Sequence, residues 1–354
     1  MRFTAQSLTD IARDILVAAD VSEPRAQMVA ERLVTANLCG HDSHGIGMVP
    51  KYVEGLRSGG LDPDADAVIH QDHAQALLVD GARGFGQIVG AQAMEWAIER
   101  ALKSKLHLLS LRNAFHIARI GDWAEMAASA GLISIHYVNV ISASALVAPF
   151  GGSAARFSTN PYCTGIPAGP DQPMFLLDMA TSQIAHGKAR VAHLSGKQTP
   201  PGALIDADGR LTQDPAVLFE EPMGALTTFG EHKGFGLAML GDLLGGALSG
   251  GMAAGVDRAE EGAIINNMTV ILIDPDIFGA ADAFYEEMRS YLDWVKSSPP
   301  APERDAVLIP GDPERIARQA RSANGIVVDP GTVAQLQETA DLVGLQRSIK
   351  DTSL

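Results

Sequence analysis

"LLVDGARGFGQIVGAQAMEWAIERALKSKLHLLSLRN", residues 77 to 113, reads as a strand, a glycine-rich turn, a helix and a second strand. Its interpretation decides between two kinds of α/β protein. A dinucleotide-binding βαβ unit has this order of elements, with glycines spaced G-x-G-x-x-G and an acidic residue on the second strand to hold a ribose. Here Gly84, Gly86 and Gly90 are spaced G-x-G-x-x-x-G, and the second strand ends at Arg112 without an Asp or Glu. Arg112 would suit a 2′-phosphate if the unit bound a dinucleotide. The competing reading is a helix packed closely on a sheet through small residues, and a lone glycine pattern does not outweigh it.

Working outward, β-branched runs at "AQALLVDG", "LHLLSLRN", "LISIHYVNV" and "MTVILID" predict strands, and "GQIVGAQAMEWAIERALKS" and "GDWAEMAASAG" predict helices between them. Residues 6 to 39 predict two helices. Leu8, Ile11, Ile15 and Leu16 recur at helical spacing, as do Met28, Val29, Leu33 and Val34, with "SEPR" as cap and early proline and Gly40 as stop. "IGMVPKYVEGLRSGG" predicts a third helix if Pro50 falls in its first turn. "KSSPPAPERD", residues 296 to 305, is a connector, followed by two short amphipathic helices in "DPERIARQARSANG" and "DPGTVAQLQETADLVG". The expected organisation is a helical region over 1–72, an α/β domain over 73–295, and a linker with C-terminal helices over 296–354 that pack back on the N-terminal region.

The chain has 354 residues, 46% hydrophobic and 19% charged, with 36 glycines and 19 prolines, a composition that fits a globular enzyme rich in turns. Its net charge of -15 argues against nucleic acid or an anionic membrane as partner. Charges at Arg2, Asp10, Arg13 and Asp14 interrupt any signal-like apolar run. "LAMLGDLLGGALSGGMAAGV", residues 237 to 256, carries Asp242 and glycines at four-residue spacing, which predicts close packing inside a protein or against a second subunit rather than a membrane span. Cys39 and Cys163 form no metal or disulfide pattern, so the expected compartment is the cytoplasm.

"CGHDSHGIGM", residues 39 to 48, concentrates chemistry in a chain with ten histidines. His41 and His44 at i, i+3 spacing are a poor metal site, since Gly40 and Gly45 break a helix and no Cys or Glu cluster completes the coordination. Ser43 lacks a nucleophile elbow. A proton-shuttle reading uses the location: with Asp42 or Ser43 capping the third helix, His44 sits at the positive end of its dipole, where the imidazolium is disfavoured. A histidine that merely caps a helix is the alternative.

Eight segments in order, "GHDSHGIGMVPKYVEGLRSGGL", "NAFHIARIGDWAEMAASAGLISIHYVN", "APFGG", "RFSTNPYCTGIP", "LLDMATSQIAHGKAR", "GALIDADGRLTQDP", "FGEHKGFGLAMLGDLLGGALSGG" and "LIPGDPE", span most of the chain. Together they resemble the malate/L-lactate dehydrogenase type 2 family, which is distinct from the Rossmann-fold dehydrogenases. The resemblance implies a non-Rossmann α/β cofactor-binding domain with a mixed sheet, a helical region formed by the N-terminal and C-terminal segments, and a homodimer. The implied activity is an NAD(P)-dependent oxidoreductase interconverting small 2-hydroxy acids and 2-oxo acids, with a cyclic imine (piperideine or pyrroline-2-carboxylate) reductase as the alternative. NAD is placed ahead of NADP, and no metal is implied.

The same resemblance makes His44 the proton donor and acceptor, Ser43 its tuning or relay residue, and His116 the rival acid/base. Cofactor contacts are carried over to Arg119 and Ile120, to Leu177, Asp178, Met179 and Thr181, to Lys233, to Asn266, and to Pro310, Gly311 and Asp312. Arg156, Lys188 and Arg190 are further cations able to neutralise a 2′-phosphate. Two departures matter. Many members have an arginine where this chain has Met48, so carboxylate binding passes to Arg119, His116 or Lys51, or the pocket takes a more apolar tail. Relatives that reduce cyclic imines have an aspartate where this chain has Lys188, which favours the hydroxy-acid branch.

Overall fold

The computed structural model describes residues 1–142, 144–169, 172–194, 196–255 and 262–353. The N-terminal region folds as its periodicity dictates. Helix α1 (Ala5–Ala18) is capped by Thr4, whose side chain accepts from Ser7 N, and buries Leu8, Ile11, Ile15 and Leu16. Helix α2 (Glu23–Leu38) carries Pro24 in its first turn, where no backbone donor is needed, and Gly40 ends it in the left-handed region at φ +85°. Helix α3 (Val49–Ser58) likewise holds Pro50 in its first turn.

Seven strands form one sheet: β1 (Val68–His73), β2 (Ala76–Asp80), β3 (Leu106–Phe115), β4 (Ile133–Ser142), β5 (Tyr162–Ile166), β6 (Phe175–Met179) and β7 (Ile264–Ile273). Their order is β1-β2-β3-β7-β4-β5-β6. Within it only β2 and β3 run parallel; every other pair is antiparallel. A mixed sheet of this kind is not the parallel sheet of a Rossmann domain. The single parallel pair is the opening stretch, joined by helix α4 (Gly86–Ser104).

The glycines of that stretch serve packing. A Cβ on Gly86 would stand 2.4 Å from the carbonyl oxygens of Phe115 and His116, and one on Gly90 would meet the Trp123 ring at 2.9 Å. Arg112, the residue that would have rescued a 2′-phosphate site, instead donates from Nε to Asp80 at 2.9 Å. Helix α5 (Gly121–Ser129) packs beside α4, burying Trp123, Ala124 and Ala127 against the sheet.

Residues 237 to 255 of the glycine-rich run continue helix α7 (His232–Leu240) into a wide π-helical turn, Gly241–Ala247; Val256 lies outside the described residues. Gly241 and Gly245 lie against the carbonyls of Val138 and Tyr137, where added Cβ atoms would approach within 2.6 and 2.7 Å. Close packing inside the protein is therefore the role of these glycines. No described helix is long and apolar enough to cross a membrane.

Four further helices complete the part of the fold used below: α6 (His186–Leu194), α8 (Ala281–Lys296), α9 (Asp312–Asn324) and α10 (Pro330–Leu342). The last two rest on α1, α2 and α3. Two cores result. One joins α1, α2, α3 and α10 through Leu8, Leu33, Tyr52 and Leu336; the other lies between the sheet and helices α4 and α5. Phe115, at the end of β3, belongs to the helical core while its strand belongs to the sheet, so the end of β3 is the junction.

Candidate active site

The loop after α2 is pinned at both sides. Asn37, in the last turn of α2, donates from Nδ2 to Asp42 at 2.7 Å, and its Oδ1 accepts from Ile46 N at 2.8 Å. A Cβ on Gly45 would stand 2.3 Å from the Asn37 amide, so the loop can close this tightly only over glycine. From the other side α9 presents three side chains one turn apart. Glu314 meets His41 at 3.0 Å, Arg318 donates to Cys39 Sγ at 3.0 Å, and Arg321 forks onto both oxygens of Asp42 at 2.6 and 3.0 Å.

Within this loop Asp42–His44 form a 3-10 turn, and α3 begins only at Val49 after Met48. The expectation that Asp42 or Ser43 caps α3 is thus corrected: Asp42 is consumed by Asn37 and Arg321, and His44 is not at that helix's N-terminus. Its pKa is lowered all the same, to about 4, by burial first, with Asp178 opposing and His41 and Arg119 adding to the effect. The ring stays neutral at pH 7.

His44 Nδ1 lies 3.2 Å from Nε2 of His116, the two rings nearly parallel with an interplanar angle of 8°. His116 leaves the end of β3 and is buried, its pKa pulled down to about 3 by burial and by His44. Its Nδ1 lies 2.8 Å from the hydroxyl of Tyr52 on α3, and Gln87 on α4 donates to that hydroxyl at 2.5 Å. Asn266 holds this exit: its Oδ1 accepts from Ile117 N at 3.0 Å, its Nδ2 donates to Asn139 O, and the β3–β7 register shifts between Asn266 and Met268. The two histidines nominated from sequence therefore meet directly. Tyr52, Gln87 and Asn37 were not nominated; buried polar side chains on otherwise apolar helix faces were the available signal.

The segments expected to touch a cofactor converge on one side of this pair. Gly121 N, next to the buried Ile120, donates to Asp178 Oδ2 at 2.8 Å, and Pro310 O accepts from Leu176 N at 3.2 Å. Residues 120–121, 176–179 and 310–311 thus form one patch, with Leu177 and Met179 half-buried on β6. Gly311, at φ +95°, lies against the backbone of Met174 and Leu176. Thr181 is buried, donates to Thr159 O and Asn160 O, and takes Phe229 N on its own carbonyl, which brings the turn before exposed Lys233 beside the end of β6.

Other nominated residues are engaged elsewhere. Arg119 has no exposed surface: Nε and Nη2 bond Asp122 at 2.7 Å and Glu125 at 2.5 Å, and these carboxylates keep it charged against the cost of burial. Asp312 accepts from Ile309 N and pairs with Arg315 and Lys296. Lys51 is exposed and paired with Glu54, whereas Arg119 keeps Nη1 buried without a hydrogen-bond partner among the described residues. Met48 itself is half-buried against the helical core. Ser43 is exposed, 3.4 Å from where a Cβ on Gly187 of α6 would stand. Lys188 on α6 is exposed, Arg190 donates to Gln335, and Arg156 donates to a neighbouring carbonyl.

A family model described as malate/L-lactate dehydrogenase matches residues 3–337. Hydroxycarboxylate dehydrogenase B of Escherichia coli (strain K12) is 42% identical over 97% of this chain and 95% of its own length. A solved E. coli structure, described as a candidate malate/lactate dehydrogenase, superposes with a TM-score of 0.94 at 41% identity over 99% of this chain and 98% of that one. A delta1-piperideine-2-carboxylate reductase structure from Pseudomonas syringae pv. tomato superposes with a TM-score of 0.80 at 31% identity, covering 96% of this chain and all, 100%, of that one.

Proposed function

Because the chain belongs to the malate/L-lactate dehydrogenase family, and so to the oxidoreductases acting on CH–OH donors, we propose that it interconverts 2-hydroxy acids and 2-oxo acids with NAD or NADP, NAD being the first cofactor to test. The observation that carries this reading is the neutral His44–His116 pair beside the patch formed by residues 120–121, 176–179 and 310–311.

The donor set suits a ribose- and phosphate-bearing cofactor. Asp178 keeps Oδ1 without a hydrogen-bond partner among the described residues, and a Cβ on Gly121 would stand 2.9 Å from its Oδ2, so the backbone beside it stays open only as glycine. Lys233 adds an exposed cation. Asp178, Ile120, Leu177, Met179, Pro310, Gly311 and Lys233 are the residues proposed to hold the cofactor, with Thr181, Asn266, Arg119 and Asp312 shaping the segments that carry them. When bound there, the nicotinamide supplies or accepts the hydride.

The protein's own part is proton handling and orientation. His44 gives a hydrogen bond and then the proton to the substrate oxygen as the carbonyl is reduced, and takes that proton in the reverse direction. The proton consumed overall comes from water, to which His44, being only half-buried, keeps access. His116 supports His44 from the buried side. With the apolar Met48 in place of an arginine, half-buried against the helical core, the pocket is proposed to favour 2-oxo acids with an apolar tail.

The second reading, a cyclic imine reductase, is favoured by the likeness to the Pseudomonas enzyme and disfavoured by Lys188 in place of an aspartate. Oxidation of NADH and NADPH followed by absorbance, with pyruvate, phenylpyruvate and piperideine-2-carboxylate, tests both. Turnover of the 2-oxo acids supports the first reading and turnover of the imine alone the second. Equal turnover of pyruvate and phenylpyruvate removes the apolar-pocket proposal.

A further inference from the structure

Four side chains from four separate places in the sequence, Gln87, Tyr52, His116 and His44, form one unbranched hydrogen-bond chain. Two of its three links are buried and the His44–His116 link is partly so, and the hydrogens can be assigned along it by elimination. Gln87 Nε2 can only donate, so it donates to the Tyr52 oxygen. The phenol then has its own O–H to place, and the acceptor in reach is His116 Nδ1 at 2.8 Å. A neutral imidazole whose Nδ1 accepts carries its hydrogen on Nε2, and that atom faces His44 Nδ1 at 3.2 Å. His44 Nδ1 is therefore an acceptor, and the ring's hydrogen is on Nε2, which has no partner among the described residues.

We infer that Tyr52 and Gln87 are positioning residues which, through His116, fix the neutral tautomer of His44 with its hydrogen on Nε2, the atom that then points a donor at the substrate oxygen. This rests on His44 being the proton donor of the proposed reaction, but the tautomer itself is a property of the free protein. Burial supports the assignment by keeping both imidazoles neutral and by pushing the Tyr52 phenol up, so that it stays protonated. Gln87 Oε1 is buried without a partner, so the amide end of the chain is the end that must turn for the opposite polarity. As built, the resting chain is set to give a proton, as carbonyl reduction requires.

The test is nitrogen-15 NMR of histidine-labelled protein without cofactor, with His44→Ala and His116→Ala spectra assigning the two rings. Protonated Nε2 and bare Nδ1 are expected at both His44 and His116. Tyr52→Phe, which keeps the ring packed against Phe85 and Phe115, should leave both histidines as tautomer mixtures. It should also lower kcat for 2-oxo acid reduction about tenfold or more with KM and cofactor dissociation constant unchanged. Gln87→Glu, an acceptor only when ionised, should move the His44 hydrogen to Nδ1. A wild-type His44 protonated on Nδ1, or tautomers indifferent to both substitutions, overturns the inference. If the tautomers follow the chain while no 2-oxo acid is reduced, the chain stands and the proposed reaction falls.

Discussion

At the scale of single residues, His44 and His116 have different positions in one unit. His44 is half-buried on a loop, and His116 is buried between it and Tyr52. Only the partly accessible member can touch a substrate and exchange with water, so His44→Ala should lower kcat by about 10²- to 10⁴-fold with cofactor affinity little changed. His116→Ala should cost less in the same steady-state assay, because it removes support and not the donor. If His116→Ala alone abolishes turnover while His44→Ala does not, the roles are exchanged. The sequence made His44 conspicuous, since "DSH" concentrates polar chemistry between glycines. Tyr52 and Gln87 were not legible: 35 residues separate them, and each sits on a helix whose pattern announces only burial.

At the scale of elements, α9 holds the His44 loop and α4 holds the His116 strand end. Glu314, Arg318 and Arg321 are spaced so that one face of α9 meets His41, Cys39 and Asp42 in turn. The periodicity of "DPERIARQARSANG" predicted the helix, but nothing local says which distant loop its polar face will clasp. The Arg321–Asp42 pair is partly exposed and should contribute only about 0–1 kcal/mol to stability. Its value lies in placement. Arg321→Ala should therefore leave Tm nearly unchanged while kcat falls roughly tenfold or more and amide exchange quickens over residues 42–46; a fall in Tm matched by unchanged kcat would show that α9 has no such role. Gly86→Ala makes the complementary case. Its Cβ would meet backbone at 2.4 Å, which no side-chain rotation relieves, so a loss of about 1–3 kcal/mol is expected in chemical denaturation, with a drop in kcat because the displaced backbone includes His116.

At the scale of the whole molecule, the α/β class and most elements were legible because periods of 2 and 3.6 are local properties. The strand order was not, since antiparallel β7 inserts between β3 and β4 from more than a hundred residues away. Strands β1, β5 and β6 and helices α6 and α8 were also missed; the strands are five or six residues each, β1 exposed throughout and β5 and β6 half-buried, so that no period stands out. That insertion gives the molecule a measurable pH response, because it helps seal His136 of β4 inside the sheet, with a pKa lowered to about 3 by burial alone. With His44 at about 4 and His116 at about 3, three rings are neutral when folded and free to charge near pH 6.5 when unfolded. Between those values the unfolded chain binds more protons, so stability falls as pH falls. Each ring contributes up to about 1.4 kcal/mol per pH unit, and His44 stops contributing near pH 4. Carboxylates held low in the fold, such as Glu314 and Asp312, also lose stability on acidification, but they titrate below their ordinary values and so outside most of this window. Denaturation midpoints should therefore drop between pH 7.5 and pH 5, and His136→Gln should shrink that drop without altering kcat at pH 7.5. A midpoint flat over this range, or an unchanged slope in His136→Gln, would mean that the buried imidazoles are not the groups that set the acid limit.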